Sequence, residues 1–397
     1  MRILLIHNHY QYSGGEDAVF GAESALLRQN GHKVVEYTED NSRIDGMSRG
    51  AVAARAIWSS PTRRRLTAIL RDRHFDVAHF HNTFPLISPS AYTACREVKV
   101  PVVQTLHNYR LLCPAATLFR DGQVCEACLG KTYPWPGVWH ACYRGSRSQS
   151  AIVAAMLAVH RGLKTWQQQV DIYIALTEFS KQKFIEGGVP SGKIHVKPNF
   201  VNPDPELRKG NGYYALFVGR LSPEKGVWTM LRAWRGLKGV PLKIAGDGTL
   251  LADIQAFVQK GKLESVEILG HGTAADVPQL MKAAKFLVFP SECYETFGLV
   301  AVEAFACGLP VIASRLGAVA EIVDEGRTGL LFRAGDPGDL TKKVQWAMDH
   351  PNALCRMGED ARREYEKKYT PKKNYEMLLD IYEQAIRTAS CEATSPK

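Results

Sequence analysis

The sequence predicts two doubly wound α/β domains in tandem, and three observations carry that prediction. Short apolar runs of strand length alternate with longer helix-patterned segments along the whole chain, the signature of βαβ units and parallel sheets. The alternation is interrupted at "PNFVNPDPELRKGNG", a stretch rich in Pro, Asn and Gly between two strand candidates. The length, 397 residues with 45% hydrophobic and 23% charged side chains, suffices for two cores.

In the first half, "RILLIHN" is the opening strand candidate and "HNHYQYSGGED" follows it. There Gly14 and Gly15 either let backbone amides approach a ligand as a helix begins or form a plain tight turn. "TRRRLTAILRDR" reads as a helix with Leu66, Ile69 and Leu70 on one face, beside Arg63, Arg64 and Arg65, a basic and apolar face expected to meet an anionic membrane. "DVAHFH" and "PVVQTLH" are the next buried strands, the second ending at His107. "SAIVAAMLAVHRGLKTW" is a buried helix or an apolar surface, and "IYIALT" and "KIHVKPN" complete the half.

The second half repeats the scheme with "YALFVGR", "LKIAGDG", "VEILG", "FLVFPS" and "VIAS", then turns helical from about residue 336 with a break at "TPKK". The expected domains are 1–200 and 201–371, with a helix at about 372–390 packing back on the first.

Ligands of such sheets bind beyond the carboxyl ends of the strands. After "FVGR" comes Leu-Ser-Pro-Glu-Lys-Gly, which sets Arg220 and Lys225 on a loop entering a helix, where two cations oppose the helix dipole and invite an anion. In "CYETFGLVAVEAFACGLPVIAS", Gly298 opens a helix that is apolar all round except for Glu303, so a buried carboxylate is expected there. Amides at Gly298 and Leu299 suit a diphosphate, Glu303 suits a ribose diol, and Glu295 on the preceding loop suits the hydroxyls of a transferred group. These three grips describe a nucleotide-sugar.

Charge and composition narrow the partners. Residues 1–200 hold 24 Lys and Arg against 15 Asp and Glu, and the rest 26 against 25. The basic half suits a phosphate-bearing substrate or an anionic membrane. No nucleic-acid module is expected, because the basic residues lack interleaved aromatics. The apolar run after Arg2 is only "ILLI", so a cytoplasmic protein with reduced cysteines is expected, and nine cysteines leave no complete pairing.

With these residues in place, the chain resembles the glycosyltransferase family 4 proteins of the GT-B fold, two Rossmann-like domains facing a central cleft. The resemblance rests on "GRLSPEKG", "AGDGTL", "PSECYETFGLVAVEAFACGLPVIAS" and "GRTGLLF", with "SGGED" and "QTLHNY" matching the glycine loop and active-site histidine. It implies that Arg220 and Lys225 hold the donor diphosphate, Glu295 the sugar and Glu303 the ribose, with His107 beside the reacting sugar. Gly14, Gly15, Gly219, Gly246, Phe297, Gly298 and Leu299 complete the implied donor site. It also implies retaining chemistry without a catalytic metal, and the chain contains no Asp-x-Asp. The implied acceptor is a saccharide or lipid-linked molecule in surface-polysaccharide or glycolipid synthesis, on the inner face of a membrane. The rival readings are an epimerase or hydrolase of the same fold and a non-catalytic nucleotide-sugar-binding protein.

Residues 108–150 depart from the family pattern. They hold Cys113, Cys125, Cys128 and Cys142, two of them spaced Cys-x2-Cys, which leaves a structural zinc site, four packed thiols, or a disulfide or cluster open.

Overall fold

The computed structural model describes residues 1–11, 14–270 and 276–394. It divides into two compact units, one of residues 1–118, 125–198 and 374–397, the other of 119–124 and 199–373.

The first unit is built on strands β1 (Arg2–His9), β2 (Lys33–Asp40), β3 (Val77–Phe80) and β4 (Val102–Thr105). After a short antiparallel hairpin that is assigned to the second unit, β5 (Phe119–Arg120) and β6 (Gln123–Val124), come β7 (Ile172–Ala175) and β8 (Ile194–Val196) of the first. All pairs in the six-stranded sheet are parallel, in the order β2-β1-β3-β4-β7-β8. Every residue of β3, β4 and β7 is buried, as expected for parallel strands covered on both faces. β2, absent from the sequence-based strands, is an edge strand whose "KVVEYTED" is mostly half-buried or exposed, so no apolar run marks it.

Helices α1 (Gly15–Gln29), α2 (Ser60–Asp72), α3 (Trp135–Trp139) and α4 (Arg147–Gly162) belong to this unit. Leu66 and Leu70 of α2 are buried, and Arg63 and Arg65 pair with Glu97 and Glu39. Leu66 and Leu70, two of the three apolar residues of the face expected to meet a membrane, are therefore core, and Ile69 is half-buried. Val153, Ala154, Met156 and Leu157 of α4 are buried too.

The second unit carries β9 (Tyr214–Val218), β10 (Leu242–Ala245), β11 (Val266–Gly270), β12 (Ala284–Phe289), β13 (Val311–Ser314) and β14 (Gly329–Phe332), all parallel, in the order β11-β10-β9-β12-β13-β14. β14 also went unlisted among the sequence-based strands. Its first residue must be glycine, since a Cβ on Gly329 would lie 2.0 Å from the Val311 carbonyl oxygen.

Helices α5 (Val227–Trp234) and α6 (Leu299–Ala306) follow β9 and β12. The helical tail breaks at His350 as well as before Pro371. Its last helix, α7 (Pro371–Thr394), places Leu378, Ile381, Tyr382 and Ala385 in the core of the first unit with Ile3, Leu5, Phe20 and Val103.

Candidate functional site

Sheet order locates the chemistry. In the second unit the order reverses between β9 and β12, and in the first between β1 and β3, so the carboxyl ends of those strands form the crevices.

In the second unit, the loops after β9, β10 and β12 are locked together by glycines. A Cβ on Gly246 would meet the Gly219 oxygen at 1.9 Å, and one on Gly226, at φ +67°, would meet the Pro290 oxygen at 1.8 Å. Gly219 N donates to the Ala245 oxygen at 3.0 Å, and Leu221 N to that of Asp247 at 2.8 Å.

On this frame Lys225 sits in a short 3-10 turn and its Nζ donates to Glu295 Oε1 at 2.7 Å, where Ser291 Oγ also donates at 2.6 Å. Burial would raise the Glu295 carboxyl, but Lys225 and Ser291 bring it below its ordinary value, with Arg220 adding to the pull. Burial would lower the Lys225 ammonium, and Glu295 raises it instead. The expected conflict of two loop cations is thus half resolved within the chain: Glu295 answers Lys225, while Arg220 stands exposed.

Gly298, at φ +134°, turns the chain into α6, where the Ala301 amide donates back to the Gly298 oxygen at 2.9 Å and the Leu299 and Val300 amides precede the helix's own ladder. Phe297 is buried, edge-on to the Tyr369 ring at 6.0 Å, so it anchors the loop. Glu303 lies one turn beyond Leu299 on the same face of α6. The helix is buried through Ala301, Val302 and Ala304–Ala306, but Glu303 itself is only half-buried, which corrects the fully buried carboxylate expected from the sequence. Burial still pushes its carboxyl up to about 7.

In the first unit, Gly14 caps α1 in an extended conformation, φ −136°, and its amide donates to Asp17 Oδ2 at 2.9 Å. That amide is committed to a side chain of its own helix, and Gly15 is the first residue of α1.

Around it lies a cluster that the sequence reading missed apart from His107. His7 and His9 leave β1 on one face, with His7 Nε2 at 2.9 Å and His9 Nδ1 at 3.2 Å from Asp17 Oδ1. His79 bonds Tyr382 and Thr105, both at 2.8 Å. His81 Nδ1 meets His107 Nε2 at 2.9 Å, and His81 Nε2 lies 3.3 Å from Glu23 Oε2, whose other oxygen accepts from buried Lys197 at 2.9 Å. The overlooked signal was "HNH" and "HFH", histidines two apart in strands and so on one face.

This chain of contacts assigns tautomers. Burial holds both His81 and His107 well below the usual imidazole range, so both are neutral at pH 7. A bare His81 Nε2 facing the Glu23 carboxylate would oppose two lone pairs. His81 therefore carries its proton on Nε2 and accepts from His107 Nε2–H.

Beside it, Glu16 Oε2 accepts from Tyr10 at 3.0 Å and from Asn108 at 3.1 Å. Burial pushes its carboxyl up to about 8, so it holds a proton at neutral pH.

Cys113, Cys125, Cys128 and Cys142 are neighbours: burial raises the Cys128 thiol to about 12, and the other three reinforce the shift. All four are free thiols. Among the described residues, the groups of three or more potential ligands with atoms within 4.8 Å of one another are His7, His9, Asp17 and Glu23, His79, His81, and no cysteine belongs to either.

Comparison with known proteins matches residues 201–364 to the family described as glycosyl transferases group 1 and residues 13–205 to glycosyltransferase family 4. An uncharacterised glycosyltransferase of Methanocaldococcus jannaschii is 36% identical over 47% of this chain and 52% of its own length. The D-rhamnosyltransferase WbpZ of Pseudomonas aeruginosa is 30% identical over 40% of this chain and 42% of its own. The chain thus spans about half the length of these relatives.

Among solved structures, Anabaena HepE in complex with UDP-glucose superposes with a TM-score of 0.69 at 18% identity, covering 98% of this chain and 100% of that one. Sucrose-phosphate synthase of Thermosynechococcus elongatus gives 0.73 at 18%, covering 98% and 99%. At that identity the likeness bears on fold.

Proposed function

We propose, from the premise that this chain belongs to the family 4 glycosyltransferases and has the GT-B fold, that it moves a sugar with retention from a nucleotide-diphosphate-sugar to a saccharide or lipid-linked acceptor. The observation that carries the reading is the Arg220, Lys225 and Glu295 cluster at the point where the β9–β12 sheet order reverses, beside the start of α6.

A diphosphate held there meets an exposed guanidinium, an ammonium and helix-start amides. When the bond from the anomeric carbon to the phosphate oxygen breaks, its electron pair goes to the diphosphate, and these groups stabilise the added charge. Sharing Lys225 with the phosphate loosens its bond to Glu295, which then accepts hydrogen bonds from sugar hydroxyls. Glu303 accepts from the ribose diol.

Retention follows from same-face attack, in which the acceptor oxygen bonds to the anomeric carbon and its proton passes to the departing phosphate. His107 has a positioning role beside the reacting sugar. Catalysis in this reading needs no metal, because the chain's own cations face the leaving group. For the four cysteines we favour packed reduced thiols, supported by their failure to converge to zinc-ligand spacing. One zinc per chain, lost in Cys125→Ser/Cys128→Ser, would replace that reading with a structural zinc site.

The test is a thermal-shift screen of nucleotide-sugars, UDP-glucose first because HepE was solved with it. The stabilising donor is then incubated with saccharide and lipid-linked acceptors, and the product anomer is read by NMR. Donor turnover without any acceptor would favour the hydrolase or epimerase reading, and binding without turnover the non-catalytic one. Among the described residues no helix is long and apolar enough to cross a membrane. We place the protein on the inner face of an anionic membrane, held peripherally.

A further inference from the structure

Residues 127–170 contain no aspartate or glutamate, and their charged residues, Lys131, Arg144, Arg147, Arg161 and Lys164, are all basic. The same stretch holds large apolar side chains in water: Tyr133, Trp135 and Trp139 are 43%, 56% and 63% exposed. Val159 of α4 and Leu163 just after it add 39% and 52%, so five of the seven exposed large hydrophobics among the described residues fall in this one segment. Scattered exposed residues need no explanation, but a concentration within one segment does.

The segment is braced. α3 packs on α4, Arg147 Nε donates to the Trp139 carbonyl at 3.2 Å, and Arg161 Nη1 donates to that of Thr132 at 3.4 Å. The rings are therefore held out by a tied frame, and Lys131, Arg144, Arg147 and Lys164 of the same segment are exposed too, Arg147 against the Trp139 ring.

We propose that this face docks the protein on an anionic bilayer, with Trp135 and Trp139 at headgroup level and the basic residues on lipid phosphates. Tryptophan and tyrosine favour the membrane interface, and basic side chains near it gain from its surface potential. Single-stranded nucleic acid fits less well: stacking needs open ring faces, and the Arg147 guanidinium covers a face of Trp139 at 5.2 Å, while Val159 and Leu163 offer nothing to a base. The inference rests on the proposed membrane location but names a surface that reading lacked, in place of the α2 face, where Leu66 and Leu70 are core.

Co-sedimentation of the full chain with phosphatidylglycerol–phosphatidylcholine vesicles, against phosphatidylcholine alone, tests it. Binding should require the anionic lipid and weaken with salt. It should fall at least about tenfold in Trp135→Ser/Trp139→Ser and in Lys131→Ser/Arg144→Ser, while Arg64→Ser, a change of an exposed α2 residue, leaves it unchanged. Melting temperature and donor-induced thermal shift should match wild type in every variant. If wild type shows no donor shift, the enzymatic reading fails whatever the vesicles do. The docking face is overturned by undiminished binding in the Trp variant, by wild-type indifference to vesicles, by preference for single-stranded RNA over vesicles, or by a concentration-dependent dimer that the Trp substitutions abolish.

Discussion

Glu295 and Glu303 stand eight positions apart and in opposite electrostatic states, one held ionised by Lys225 and the other pushed up to about 7 by burial. If Glu303 accepts from a ribose diol, the ionised form binds best, so donor affinity should tighten as pH rises from 6 to 8 and go flat in Glu303→Gln. That variant should bind donor about 1–3 kcal/mol more weakly at pH 8, read by calorimetry. Arg220→Ala, at an exposed position, should lower kcat by about a hundredfold or more with little change in melting temperature. Lys225→Ala should cost stability as well, because it removes the ammonium that answers Glu295. Adding Glu295→Gln should restore part of that loss, a coupling of about 1–3 kcal/mol in a double-mutant cycle. At the first unit, Glu16→Gln keeps the shape of the protonated acid and should raise the melting temperature at pH 7 to 8, because the unfolded wild-type chain gives up this proton above about 4.5 while the folded chain keeps it up to about 8.

The strands β1 and β3 carry a layer of neutral histidines, and its linkage has a definite sign. Burial pushes His79 down to about 4 and holds His7, His81 and His107 low, so the unfolded chain binds protons that the folded one refuses. Their stabilising contribution is complete above about pH 6.5 and is lost as pH falls toward 4. Urea midpoints should therefore fall between pH 7 and pH 5, most steeply below 6.5. Glu23→Gln, which leaves Lys197 buried without its counter-charge, should cost about 3–5 kcal/mol, and Glu23→Leu/Lys197→Met should recover much of it. This layer also marks the limit of what the sequence revealed. β3, β4 and β7 were legible because both faces are covered and most of their residues are apolar, and the Arg220, Lys225 and Glu295 loops because they follow such strands. β2 was not, because an edge strand carries charge, and the histidine cluster was not, because Glu23, Lys197 and Tyr382 meet only through long-range packing.

The two units share a plan but not a continuity. The core of the first is incomplete without Leu378, Ile381, Tyr382 and Ala385 from α7, and Tyr382 also holds His79. Ending the chain at residue 373 should leave the second unit folded and the first unable to close, seen as loss of one cooperative transition in calorimetry and rapid proteolysis confined to residues before about 198. The sequence-based boundary near residue 200 reflects a local change in composition. The return of α7 is a matter of which apolar face finds cover, and its periodicity alone does not say where. One consequence concerns the ribosome. Synthesis runs from the amino end, so residues 199–373 emerge whole before the helix that seals the earlier unit has been made. The later half can reach its native state first, while the earlier half waits with an open seam along β1 and β3, in need of a chaperone for the time it takes to translate the other.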